Sequence, residues 1–165
     1  MVILSKSIYV YDLATREQLV KLETVENLGG VAAVNTDKSD LKFACHTTEV
    51  GQIQVIDFDS KALSKAVIKA HKSHVSAITL NWQGKLVATA SVEGQVIRVY
   101  KTGGAQELVH EFRRGNDQCT IQCINFDTIS KWMTCTSEKG TVHVFAIDAL
   151  HHSTSSEEER KKKED

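Results

Sequence analysis

The chain has almost no net charge, and this limits the partners that it can attract as a whole. It contains 20 lysines and arginines against 21 aspartates and glutamates, which leaves a formal charge of −1 at pH 7. Such a balance gives no general attraction to nucleic acid or to an anionic membrane, so any binding of phosphate must come from a local cluster of cations. The stretch EFRRGNDQ at 111–118 contains two adjacent arginines, Arg113 and Arg114, and is the obvious candidate.

The sequence also lacks a long apolar run. No segment approaches the roughly 18 apolar residues that a membrane span needs. The opening MVILSKSIYV is short and has no cleavage-site pattern after it. These absences predict an intracellular protein. With 165 residues, of which 41% are hydrophobic, the chain has the size and composition of about one globular domain.

Paired cysteine spacings are absent as well. Cys45, Cys119, Cys123 and Cys135 stand singly among apolar residues, a pattern that predicts reduced thiols buried in strands. Cys119 and Cys123 could be combined with His143 as metal ligands, but structural zinc sites usually have tighter paired spacing. We therefore expect neither a metal nor a cofactor.

The motifs of the common enzyme classes are missing. The sequence contains no nucleophile elbow, no P-loop, no HExxH and no plausible pair of catalytic carboxylates. Asp12, Asp57 and Asp148 recur at the ends of strand-like runs, where a role in a turn is the commoner explanation. The sequence therefore predicts a protein that is not an enzyme.

An internal repeat is the main positive feature. The segments HTTEVGQIQVIDFDS, TASVEGQVIRVYKTG and CTSEKGTVHVFAIDA can be superimposed, and each runs from a small polar turn through a glycine into a strand. The shared glycines, Gly51, Gly94 and Gly140, are roughly 45 residues apart, which is the period of WD40-type propeller blades. Valine, isoleucine, threonine and aromatic residues dominate the short runs, and no long helical period occurs. The predicted fold is therefore all-β, a WD40-like β-propeller.

Counting strands predicts only part of a propeller. Two whole blades, at about 30–74 and 75–114, are flanked by two strands of an earlier blade and three strands of a later one. Propellers normally need about four to eight blades to close, so 1–148 is expected to be a partial β-propeller: a fragment, a truncated product or half of an assembly. The segment 149–165 is rich in charge, lacks apolar periodicity and is expected to be a disordered tail.

The sequence FRRG at 112–115 closes one blade and is followed by TIQCINFD and GTVHVF. Together with AHKSHVSAITLNWQGKLVATAS and GQVIRVY in the blade before it, this pattern closely resembles the PROPPIN family of phosphoinositide-binding β-propellers, nearest to its WIPI3 and WIPI4 branch. The match covers nearly the whole chain up to Asp148. The four letters alone are not specific, and their place at a blade junction makes them informative.

The resemblance implies a seven-bladed propeller that acts in autophagosome formation. It implies binding to phosphatidylinositol 3-phosphate and phosphatidylinositol 3,5-bisphosphate at two sites. It also implies a cytoplasmic protein recruited peripherally to membranes that carry these lipids, at the preautophagosomal structure and on endosomes. An Atg2-type lipid-transfer protein is a partner in the family, and nucleic acid is not expected.

In the family the two arginines serve pockets on neighbouring blades, and strand geometry supplies a reason. Successive side chains of an extended segment point to opposite sides, so Arg113 and Arg114 should diverge. Matching slots of the repeat offer hydroxyl, imidazole and guanidinium donors that can complete a phosphate site. The first predicted pocket combines Arg113 with Ser91, Arg98, Thr89 and His71. The second combines Arg114 with Ser137, Thr136, His143 and Thr120.

Each assignment has a structural alternative. Ser91 and Ser137 can cap tight turns with their hydroxyls. Arg98 and His143 can be solvent-facing residues or cross-strand partners, and a histidine near a blade junction, such as His71, often has a structural role in WD repeats. The stretch ATASVEGQ also departs from the ATASEKGT of many relatives, which predicts a weaker first pocket. The competing function is a WD-type scaffold whose arginines contact acidic residues of a protein partner.

Overall fold

The computed structural model describes residues 1–59 and 62–147, and the predicted tail at 149–165 lies outside them. Within this part, fourteen strands form four sheets. The first sheet contains β1 (Val2–Ile3), β2 (Ser7–Tyr11) and β3 (Gln18–Glu23). The second contains β4 (Ala32–Val34), β5 (Lys42–His46), β6 (Gln52–Asp59) and β7 (Ala62–Lys69). The third contains β8 (Val75–Leu80), β9 (Leu86–Ser91), β10 (Val96–Lys101) and β11 (Leu108–Arg113). The fourth contains β12 (Ile121–Phe126), β13 (Trp132–Ser137) and β14 (Val142–Ala146).

Each sheet is an antiparallel meander in which strands pair in chain order. Short loops between β-branched runs allow neighbours in sequence to become neighbours in space, which accounts for this order. The prediction of an all-β partial propeller with two four-stranded blades is confirmed. The described residues contain no helix that could cross a membrane.

Apolar side chains join the sheets face to face. Ile8 of the first sheet packs with Phe43 and Ile56 of the second. The opposite face of the second sheet contacts the third through a cluster that includes Ile53 and Val87. The third and fourth sheets share another cluster, built from Ala88, Ala90, Ile97, Val99, Ile121 and Met133. The two central sheets are thus buried on both faces, as blades of a propeller are.

The first sheet has three strands and not the predicted two. Val2 pairs with Tyr9 and Ile3 pairs with Ile8, which adds β1 to the hairpin of β2 and β3. A strand of two residues has no alternation of polar and apolar positions, so the sequence gives no signal for it.

Three of the four cysteines are buried as expected, and Cys123 is exposed. Cys123 pairs with Thr136, which pairs with Val142. This face of the fourth sheet has no described sheet packed against it, and Val142 itself is 65% exposed. The prediction of a buried thiol was therefore wrong for Cys123, because its burial needs a neighbouring blade on that side.

This difference in burial predicts a difference in thiol reactivity. Under native conditions we expect Ellman's reagent to titrate one thiol per chain rapidly, because reaction needs an accessible thiolate. Cys123→Ser should abolish that fast phase, and Cys45→Ser should leave it unchanged, since burial raises the pKa of Cys45 to about 12. A fast phase that persists in Cys123→Ser would contradict the arrangement.

Candidate functional site

The register of β10 and β11 places the two arginines on opposite faces of the third sheet. Arg113 pairs with Val96, and Glu111 pairs with Arg98, so these residues share one face. Arg98 Nη1 donates to the carbonyl oxygen of Ala70 at 2.8 Å, and this face therefore looks toward the second sheet.

The other face of β11 looks toward the fourth sheet. Phe112 stacks on Phe145 of β14 with 4.7 Å between ring centroids. Arg114 is two residues after Phe112, so in an extended segment its side chain points to the same face. The pKa of Cys119, which precedes β12, is lowered by a hydrogen bond with Ser137 and also by the charge of Arg114. The register therefore assigns the two adjacent arginines to opposite faces of the third sheet.

A groove of about 540 Å³ opens between the second and third sheets. The charged and hydrogen-bonding side chains that line it are Lys69, His71, Lys72, Ser73, Ser91, Glu93, Gln95 and Arg98. We call it the first groove. Ser91, Arg98 and His71, all predicted for the first pocket, meet here. Lys69 and Lys72 were not predicted, although their flanking positions in KAHK around His71 could have suggested them.

Arg98 is the most constrained cation of the first groove. Its Nε donates to Glu111 Oε2 at 2.7 Å, and its Nη1 donates to Ala70 O and lies 3.5 Å from His71 Nδ1. Its side chain is 28% exposed. The predicted alternative of a cross-strand partner therefore describes one of its contacts, while the same side chain also lines the groove.

Thr89 lies behind His71 and is fully buried. His71 Nε2 lies 3.0 Å from Thr89 Oγ1, and that hydroxyl donates to the carbonyl oxygen of Arg98 at 3.4 Å. The pKa of His71 is lowered to about 4, because burial disfavours its charged form and Arg98 adds repulsion. Near neutral pH the groove therefore contains an uncharged imidazole held by Thr89.

Arg113 lies on the face of the first groove but does not line it. Its side chain is exposed, and Nε donates to Asn116 Oδ1 at 3.0 Å. Arg114 is half-buried, and its Nε donates to the carbonyl oxygen of Gly94 at 2.9 Å. Neither arginine has a carboxylate within ion-pair distance among the described residues.

Polar side chains form a chain on the fourth sheet, in the seam that Arg114 faces. Ser137 Oγ lies 3.0 Å from Thr141 Oγ1, which lies 3.3 Å from His143 Nε2. We call these three residues the second cluster. Thr141 was not predicted, although it is the hydroxyl directly after Gly140. Thr120 is exposed nearby, and its backbone N–H donates to Glu138 Oε1 at 3.0 Å.

Thr136 lies apart from the second cluster. Cys135 is the residue that pairs with His143, and Thr136 pairs with Val142. Side chains alternate along β13, so Thr136 points to the face opposite Ser137. Cys135 therefore occupies the position in the fourth sheet that Thr89 occupies in the third.

Further charges surround the second cluster. Lys139 Nζ lies 3.0 Å from Asp117 Oδ2, and this hydrogen bond lowers the pKa of Asp117. A backbone carbonyl of Asp117 accepts a bond from Arg114 Nη2. No group of three or more candidate metal ligands occurs in the described part of the chain.

The fold and the repeated seams define a portion of a β-propeller, and solved structures of that class are similar. Kluyveromyces lactis Hsv2p matches with a TM-score of 0.72 and 28% sequence identity, covering 86% of this chain and 44% of that one. A complex of KlAtg21 with the coiled-coil of AgAtg16 matches with a TM-score of 0.70 and 27% identity, covering 87% of this chain and 48% of the matched chain.

The PROPPIN family model matches residues 1–162, and the chain belongs to the PROPPIN family. Autophagy-related protein 18e of Arabidopsis thaliana is 35% identical over 147 residues, which are 89% of this chain and 38% of that protein. Autophagy-related protein 21 of Schizosaccharomyces pombe is 36% identical over 147 residues, 89% of this chain and 42% of that protein. The chain thus spans less than half the length of these relatives. Placement in the WIPI3 and WIPI4 branch stays a prediction.

Proposed function

We propose that this chain provides the headgroup-binding portion of a phosphoinositide-binding adaptor in autophagy. Arg113 and Arg114 would each bind one 3-phosphorylated inositol headgroup, of phosphatidylinositol 3-phosphate or phosphatidylinositol 3,5-bisphosphate. The observation that carries the proposal is the placement of two adjacent arginines on opposite faces of the third sheet, with no carboxylate paired to either among the described residues.

The chemistry of each seam suits a phosphate monoester. Such a group carries about −1.5 to −2 charge near neutral pH and accepts several hydrogen bonds. The first groove offers Lys69, Lys72 and the hydroxyl of Ser91. In the second seam, Ser137, Thr141 and His143 lie within one hydrogen-bonded chain.

Two weak sites on one rigid surface strengthen each other. Once one headgroup is bound, the second site meets its lipid at a high effective concentration. The proposal therefore includes peripheral, reversible recruitment of a cytoplasmic protein to membranes that carry 3-phosphoinositides, such as the preautophagosomal structure and endosomes. An Atg2-type lipid-transfer protein is the proposed partner.

The test is vesicle co-sedimentation of the 165-residue chain and its Arg113→Thr/Arg114→Thr variant. We expect at least about a tenfold loss of binding to vesicles containing phosphatidylinositol 3-phosphate, because each charge-assisted contact contributes roughly 1.5–3 kcal/mol. Lys38→Thr/Lys101→Thr removes the same charge from two exposed positions at the other end of the sheets, one in the loop between β4 and β5 and one at the last residue of β10, and should bind normally. Equal binding to vesicles of the same charge without 3-phosphoinositide would contradict the proposal.

Binding of a protein partner is the second candidate function. The KlAtg21 structure, which contains the coiled-coil of AgAtg16, favours it for that relative. If the arginines serve a protein partner instead of lipid, the double variant will bind vesicles as the unmodified chain does.

A further inference from the structure

A carboxylate lies beside the most constrained cation of the first groove. Glu111 stands directly across from Arg98 on the neighbouring strand, and its Oε2 is 2.7 Å from Arg98 Nε. The Glu111 side chain is 49% exposed, so the pair is open to solvent and to an incoming ligand. We propose that Glu111 limits the affinity of the first groove for phosphate by occupying Arg98 as an internal anion. This inference rests on the proposed function and identifies a residue that sets the strength of one of its two sites.

The geometry explains why the pair opposes binding. Two nitrogens of Arg98 are already committed, Nε to Glu111 and Nη1 to the carbonyl of Ala70. A phosphate that binds Arg98 must displace the carboxylate or lie next to it, and two neighbouring anions repel each other. Glu93 also lines the first groove and adds to this repulsion.

In the second seam, the nearby carboxylates of Glu138 and Asp117 contact groups other than Arg114 among the described residues. His143 occupies the slot of Arg98, since it pairs with Cys135 as Arg98 pairs with Thr89. Arg114 is held by the carbonyl oxygens of Gly94 and Asp117, which carry no net charge. Glu111 therefore weakens the first groove through a direct pair with its cation, a contact that the carboxylates near the second seam do not make with Arg114.

The experiment measures the first groove alone. Dibutanoyl phosphatidylinositol 3-phosphate is titrated calorimetrically into the 165-residue chain carrying Arg114→Thr, with and without Glu111→Gln. We expect Glu111→Gln to strengthen binding by about threefold to tenfold, the size expected for removing one solvent-screened charge about 4 Å from the phosphate in water. Glu111→Asp keeps the charge and should strengthen binding less.

Glu107→Gln is the matched control, because Glu107 forms a surface pair with Lys101 at the same 2.7 Å distance. It removes the same charge outside the groove and should change affinity less than twofold, because salt screens the more distant charge.

If the Arg114→Thr chain binds and Glu111→Gln leaves its affinity equal or lower, Glu111 only orients Arg98 and the inference is overturned. If the unmodified chain binds neither this lipid nor vesicles containing it, the proposed function fails and the inference fails with it. A gain equal to that of Glu107→Gln would also overturn it.

Discussion

Gly94→Ala lowers the free energy of unfolding by about 3 kcal/mol or more, the largest effect that we expect of a single methyl group here. A Cβ at this position would lie 1.6 Å from the carbonyl oxygen of Cys119, a backbone atom of the segment that leads into the fourth sheet. The backbone of Gly94 also has φ +62, which an L-residue adopts at a cost of about 1–2 kcal/mol. The loss is measured by urea unfolding at equilibrium.

Gly140 is a matched control from the same repeat. It has φ +72, but a Cβ there would meet nothing within 4 Å among the described residues. Gly140→Ala should therefore lower the free energy of unfolding by only about 1–2 kcal/mol, the cost of placing an L-residue in this backbone conformation. Gly51→Ala should behave like Gly94→Ala, because its Cβ would lie 2.0 Å from the carbonyl oxygen of His71. Equal losses for Gly94→Ala and Gly140→Ala would contradict the close approach between the blades.

These glycines also explain why the sequence predicts the fold well. Their spacing reflects a turn that recurs once per blade, and at Gly51 and Gly94 the turn touches the segment entering the next blade. The carbonyl of Gly94 further accepts the bond from Arg114 Nε. Repeat spacing therefore predicts the sheets and their order.

The parts of the site that the sequence did not predict depend on register. His143 is three residues after Gly140, whereas Arg98 is four residues after Gly94, yet both occupy the same slot. Superimposing the repeats on their glycines hides this offset of one residue. Thr141, directly after Gly140, was missed. Thr136 was grouped with Ser137 although it lies on the opposite face; the residue that matches Thr89 is Cys135, since each lies five residues before its glycine.

Glu111 was missed for a related reason. Its partner Arg98 is on the adjacent strand, and the pairing follows from how β10 and β11 align. A sequence read as separate strands does not specify which residues face each other across a sheet. The charge balance of a groove between blades therefore emerges only from the structure.

Stability should fall as the pH is lowered from about 6.5 toward 4, by about 2–3 kcal/mol in total, because of His71. The folded chain holds the pKa of His71 at about 4, mainly through burial and also through Arg98, against an ordinary value of 6.5. Between these values the unfolded chain binds a proton that the folded chain does not. The free energy of unfolding therefore rises with pH between about 4 and 6.5, and above this range His71 no longer changes it. This loss is smaller than the full pKa difference would give, because water screens the partly exposed ring.

The measurement is the urea midpoint at pH 7.0, 6.0, 5.0 and 4.5 for the unmodified chain and for His71→Gln. Glutamine retains a polar group near Thr89 but cannot titrate, so the variant should start less stable at pH 7 and lose less as the pH falls. Ser73→Ala changes another residue of the first groove without altering a titratable group and should follow the unmodified chain. Parallel curves for His71→Gln and the unmodified chain would mean that other groups cause the acid sensitivity, and that the imidazole beside Arg98 titrates like one in water.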